Sequence, residues 1–127
     1  MEREICLDSD IIIEILRNNE KVIKNVYSLD AIFHTTSINI FEIWSGRFEK
    51  EENQINGILR AFEKIDFEEK HAILAGDIQM KLRERKELID FRDLFIASIC
   101  ICNNLELLTN NKKHFEKLKK FGLKLIE

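Results

Sequence analysis

Short apolar runs alternate with longer stretches of helical period from one end of this chain to the other. A strand followed by a crossover helix and a second strand builds a parallel sheet, so this alternation restricts the fold more than any other feature. Residues 3–7, 31–35, 65–67, 105–109 and 123–126 read as strands. Residues 10–17, 20–29, 51–64, 69–86, 90–103 and 112–121 read as helices, and another helix opens at Ser37, a good N-cap. The expected fold is α/β, a three-layer α/β/α sandwich around a central, mainly parallel sheet. In such sheets ligands bind beyond the carboxyl ends of the strands, near a reversal in strand order.

Proline is absent and no linker, repeat or low-complexity stretch interrupts the 127 residues, so one domain over residues 1–127 is expected. Apolar residues make up 45%, enough for a core. The longest apolar run, residues 94–102, is far shorter than a membrane span. Met1-Glu2-Arg3-Glu4 lacks the basic start and apolar stretch of a secretory signal, so the expected compartment is the cytoplasm, with no membrane partner. Cys6, Cys100 and Cys102 lack zinc-ligand spacing and read as small buried thiols.

The net charge of −3 argues against a generally basic nucleic-acid binder. Its distribution is uneven. Lys112, Lys113, Lys117, Lys119, Lys120 and Lys124 crowd the C-terminal segment, and Arg83, Arg85, Lys86 and Arg92 form a second cluster. Both read either as phosphate contacts or as solvated helix faces.

Three acids sit against apolar segments. Asp8 closes Ile5-Cys6-Leu7, Glu42 lies within Ile38-Asn39-Ile40-Phe41-Glu42-Ile43-Trp44, and Asp93 opens the run that begins Leu94-Phe95-Ile96. A carboxylate beside a core is costly unless compensated. Acids converging at one sheet edge suit Mg2+ or Mn2+, hard ions that take oxygen ligands and activate water toward phosphorus. Asp10 or Asp90 could add charge. Structural readings compete. Asp8 or Asp10 could N-cap a helix, Asp90 with Asp93 resembles a capping-box variant, and Glu42 could face solvent. His34, His71 and His114 are unlinked in sequence, and a lone His is more often structural than catalytic; His114 alone stands out, because it closely follows Thr109-Asn110-Asn111 and precedes Phe115.

The order of these motifs resembles the PIN-domain family. Leu7-Asp8-Ser9-Asp10-Ile11-Ile12-Ile13 is similar to the family's opening, the segment from Ser37 to Glu42 to its second motif, and Asp93-Leu94-Phe95-Ile96-Ala97-Ser98 to its third. Leu107-Leu108-Thr109-Asn110-Asn111-Lys112-Lys113-His114-Phe115 resembles the closing motif. The likeness is to VapC-type toxins of toxin–antitoxin pairs. It implies a PIN-like fold and Mg2+- or Mn2+-dependent RNA cleavage, with a homodimer inhibited by a VapB-type antitoxin. It also implies that Asp8, Glu42 and Asp93 bind the metal, that Thr109 orients the cluster and that Asn111 takes the polar position after it. Asn111 stands where the family often has Asp or Asn, and His114 where many relatives have another Asp.

Two other functions are compatible with the residues. A PIN-like domain without the closing Asp could bind RNA or protein without cutting. Asp8-Ser9-Asp10 also loosely matches the Asp-x-Asp start of haloacid-dehalogenase-type phosphatases, in which the first Asp is a nucleophile. For a dimer, Ile12, Ile13, Leu16, Val22, Val26 and Trp44 are the candidate contacts, internal packing being the alternative.

Overall fold

A computed structural model describes residues 2–127, so Met1 of the opening tetrapeptide lies outside the described residues. Five parallel strands form one sheet: β1 (Arg3–Leu7), β2 (Ala31–Thr36), β3 (Glu63–Ile65), β4 (Glu106–Leu108) and β5 (Lys124–Leu125). Their spatial order is β3-β2-β1-β4-β5, with β1 flanked by β2 and β4. Each connection contains at least one helix: α1 (Ser9–Leu16) and α2 (Glu20–Ser28), α3 (Ser37–Ser45) and α4 (Glu52–Leu59), α5 (Glu69–Glu84) and α6 (Phe91–Cys102), then α7 (Lys112–Phe115). The α/β/α sandwich expected from the alternation is the fold observed.

The strand period of two explains the three layers. On β1, Ile5 and Leu7 face a core built with Ile11, Ile12 and Ile15 of α1, Ile43 of α3 and Ile55 of α4. Cys6, between them, faces the opposite core with Ile78 and Leu82 of α5, Ile96 and Ala97 of α6, and Phe115. Two cores require a central strand without an exposed face, and Ile5, Cys6 and Leu7 are all fully buried. Helix α6 is the most enclosed, with Ile96, Ala97, Ser98, Ile99 and Cys100 all inaccessible. Such a helix needs apolar residues all round.

Several local expectations shift. The cap of α3 is Thr36 rather than Ser37: the Thr36 side chain accepts from Asn39 N–H, and the Asn39 side chain accepts from Thr36 N–H. Ser37 becomes the first helical residue, and its hydroxyl accepts Phe67 N–H at 3.1 Å. The helix expected over 51–64 ends at Leu59, because Phe62 turns into the core and Glu63–Ile65 pairs with His34–Thr36 as the sheet edge. The C-terminal helix divides into α7 and a 3-10 segment, Glu116–Phe121, closed by Gly122 at φ 108°. Only glycine adopts that conformation cheaply. Cys6 and Cys100 are buried as expected, but Cys102 is exposed at the last residue of α6. Ile12 and Val26, candidates for a dimer surface, are packed inside their own core. Among the described residues, no helix is long and apolar enough to cross a membrane.

Leu107, at the middle of β4, is fully buried between the sheet and α6. Leu107→Ala is expected to cost roughly 2–5 kcal/mol through lost burial and the cavity left behind. Urea unfolding checks this, and a loss below about 1 kcal/mol would show that the core collapses around the site.

Candidate active site

Strands β1, β2 and β4 all end at one edge, so the parallel sheet brings sequence-distant residues together there. Asp8 follows β1 and caps α1, its Oδ1 accepting Ser9 N–H at 2.8 Å. The same oxygen accepts from Asn39 Nδ2 at 3.0 Å, and Oδ2 accepts from the Thr109 hydroxyl at 2.6 Å. Asp8 is 5% exposed, so these three donors replace nearly all of its hydration. They come from α1, α3 and the end of β4.

Ser9 extends the network. Its hydroxyl accepts from Asn39 Nδ2 at 2.9 Å and donates to Glu42 Oε1 at 2.6 Å. Glu42 sits one helical turn beyond Asn39 and also faces Arg92, whose guanidinium is 3.7 Å from Oε2. Asp93 is half-buried in the first turn of α6, with His114 Nδ1 at 3.6 Å from its Oδ2. Asn111 contributes its backbone N–H, which bonds Thr109 Oγ1 at 3.0 Å, and its side chain makes no cap bond on α7.

The acids repel one another. Burial raises the Glu42 pKa, aided by Asp8 and Asp93 and opposed by the Ser9 hydrogen bond and Arg92. Burial raises the Asp93 pKa, aided by Asp8 and Asp90 and opposed by His114 and Arg92. Asp10 is pushed to about 6, chiefly by burial and then by the Asp8 charge. Its Oδ2 accepts Asn110 N–H at 3.0 Å, whereas buried Oδ1 has no protein partner. This is an uncompensated concentration of negative charge in hard oxygen donors, which fits a small divalent cation. Among the described residues, no three His, Cys, Asp or Glu side chains stand close enough to form a ready-made cage. Mg2+ does not require one, because it commonly keeps several waters and takes only one or two carboxylates.

The PIN domain profile matches residues 5–120. Ribonuclease VapC3 of Methanocaldococcus jannaschii is 32% identical over 96 residues, which cover 76% of this chain and 97% of that relative. The chain belongs to the PIN-domain family, among its VapC-type members. Ribonuclease VapC1 of the same organism is 42% identical over 78 residues, spanning 61% of this chain but only 57% of that relative's length. The solved VapBC2 of Rickettsia felis, bound to a DNA fragment from its promoter, superposes with a TM-score of 0.84 at 27% identity over 97% of each chain.

In this PIN domain the sequence points to the acids but not to what holds them. Asn39, Ser9 and Arg92 have no place among the acids that sequence singles out, yet they join Asp8 to Glu42 and flank Asp93. One signal was present. Thr36 and Asn39 stand three apart at a helix start, the spacing of a reciprocal cap, and Asn39 interrupts an apolar run. Asn39 is wholly buried. Asp8 proves to be a helix cap as well as a member of the acidic cluster.

Asp10 gives a pH signature. Its pKa of about 6 lies above the ordinary 3.8, so between these values the folded chain holds a proton that the unfolded chain has released. Its contribution to stability therefore falls as pH rises through that window and stays low above it. Asp10→Asn keeps an acceptor for Asn110 N–H but removes the charge. It should flatten this dependence and stabilise the protein at neutral pH by about 1 kcal/mol after allowance for solvent screening. Urea midpoints across the window test this, and a slope as steep as that of the wild type would contradict it.

Proposed function

We propose that this chain is a divalent-metal-dependent endoribonuclease, the toxin of a VapBC-type toxin–antitoxin pair, built as a single PIN-like domain over residues 1–127. One observation carries the reading. A buried Asp8, held by donors from three segments, faces Glu42 and Asp93 at the strand-end edge where a parallel sheet binds its ligands. Its VapC-named relatives are ribonucleases, and the R. felis neighbour is a VapBC assembly. RNA is the proposed substrate and a VapB-type protein the proposed inhibitor. We extend the reading to a homodimer in the cytoplasm.

Asp8, Glu42 and Asp93 would hold Mg2+ or Mn2+, with Asp10 adding charge. When bound, the cation neutralises charge developing on the phosphoryl oxygens and lowers the pKa of water. The remaining chemistry belongs to the side chains. Thr109 and Asn39 orient Asp8 by donating to its two oxygens. Glu42 and Asp93, whose burial and neighbouring carboxylates leave their charge unbalanced, would have that charge neutralised by the cation. Arg92, half-exposed beside Glu42, is placed to steady a phosphate of the substrate. Asn111 positions Thr109 through its backbone. The phosphatase reading loses its footing, because the PIN domain match extends over residues 5–120.

Purified protein should cleave single-stranded RNA in Mg2+ or Mn2+ and stop in EDTA. Asp8→Asn should lower the rate by about 100-fold or more, the scale on which removing one electrostatic stabiliser acts. Gel analysis of end-labelled RNA reads this, with circular dichroism to establish that the variant is folded. A wild-type protein that binds RNA in Mn2+ without cutting it would instead establish the non-catalytic reading, which the Asn at position 111 and the His at 114 favour.

A further inference from the structure

A groove of about 520 Å3 opens beside the acidic cluster and shares Asp93 and His114 with it. Its volume lies within the roughly 300–1,000 Å3 range of small-ligand sites. One wall is α7 and the 3-10 segment after it, presenting Lys113 and Lys117. The other is the loop over residues 85–90, presenting Leu88 and Ile89 and, at its end, Asp90, whose carboxylate is taken up by Arg92. Leu88 is 85% exposed, the most exposed of the large apolar residues identified.

The loop is held in place rather than free. Lys117 Nζ donates to Leu88 O, and Lys120 Nζ bonds Glu87 Oε1 at 3.0 Å. Leu88 is thereby displayed toward the groove instead of folding onto the core. Leu88 does not stand alone: Ile89 lines the same wall, so the loop offers an apolar face beside a charged site.

The lysines differ in availability. Lys112 bonds Glu127 O, Lys119 pairs with Glu116 and Glu127, and Lys124 bonds Asn104 Oδ1 at 2.7 Å. Lys117 and Lys120 hold the loop. Among the described residues, Lys113 is the one lysine of this segment with no hydrogen bond or ion pair to the protein, and it lines the groove. Lys113 is an exposed ammonium free to take an anion from solution.

We propose that this groove seats the nucleotide next to the scissile phosphate. The base lies against Leu88 and Ile89, and the adjoining phosphate is taken by Lys113 with His114 at its side. The inference rests on the ribonuclease reading and adds its substrate subsite. Two features select single-stranded RNA as the occupant. The groove is continuous with the acidic cluster through Asp93, and it pairs an apolar wall with an unpaired cation, matching a base linked to a phosphate. A protein segment is the rival occupant.

The test measures anisotropy of a fluorescein-labelled single-stranded RNA in EDTA, over a salt series, alongside steady-state cleavage in Mn2+. Lys113→Ala should weaken binding and lower the slope of log affinity against log salt by about 0.7, the share of one phosphate on a single strand. Leu88→Ser should weaken binding about 3- to 10-fold with the slope unchanged, because the lost contact is apolar. Both should raise KM with kcat held, since neither touches the reacting atoms. Lys124→Ala, which removes a lysine already tied to Asn104, should behave as wild type. Both residues are exposed, so misfolding does not cloud the result. Unchanged salt slope and KM in Lys113→Ala, with wild-type cleavage intact, overturn this subsite and leave the ribonuclease reading standing. Wild-type protein that does not cleave RNA removes the ribonuclease reading and this subsite together. A Leu88→Ser protein with normal RNA affinity overturns the base wall and points to a protein occupant.

Discussion

The structure depends on making a buried carboxylate tolerable at the end of its central strand. Asp8 is nearly inaccessible, and an unpaired charge there would cost several kcal/mol. Three donors prevent that, and each fixes a larger element. The Ser9 N–H is available because α1 starts there. Asn39 Nδ2 is available because the Thr36 cap orients α3. The Thr109 hydroxyl is in reach because β4 pairs with β1 in the register that sets Leu7 against Leu108. One charge thus ties two helices and a strand to the same point, and displacement of any of them would leave it unsatisfied.

The sheet explains why charge accumulates there. Parallel strands end on one side, and the order β3-β2-β1-β4-β5 places β1 between strands that come before and after long crossovers. Residues from opposite ends of the chain meet at that edge: Thr109 bonds Asp8 across a separation of 101 residues. Asp10, Glu42 and Asp93 all hold protons more tightly than free carboxyls do. A cluster kept only for stability would pair its acids, as Arg3 pairs with Glu106 at 2.8 Å and Lys120 with Glu87 at 3.0 Å elsewhere in the chain. Here the Arg92 guanidinium and the His114 ring stand at 3.7 and 3.6 Å, and Asp10 Oδ1 has no protein partner. The edge therefore costs stability, as acids proposed to serve chemistry would.

Much of this was legible in the sequence. Alternating periods gave the layers, and apolar runs ending in acids marked the edge. The network between the acids was not legible, because it depends on directions that only the fold sets. Ser9 reads as an ordinary residue between a strand and a helix until Glu42 is known to lie across from it. Asn39 reads as a defect in an apolar run until its amide meets Asp8. The boundary errors share one cause. The pattern over 51–64 is helical throughout, but its last residues are claimed by pairing with β2, and tertiary contact outweighs local propensity. Ser37 and Thr36 are both good caps by residue type, and a partner three residues on decides between them.

Capping and function are not rivals at Asp8, and a comparison within the molecule shows why. Asp90 also caps a helix, accepting Arg92 N–H at 2.8 Å, and it lies exposed with its pKa lowered by that bond first of all. Capping there uses one oxygen, which takes the Arg92 N–H and, at 3.4 Å, the Arg92 side chain. Asp8 also accepts a backbone N–H, that of the adjacent Ser9, yet it is sunk into the edge and carries two further side-chain donors, one on each oxygen. A cap gains nothing from that burial, and Asn39 is desolvated to support it. The excess over the simple cap separates the two aspartates. It is also what the local sequence rule cannot see, because the rule is satisfied equally by both.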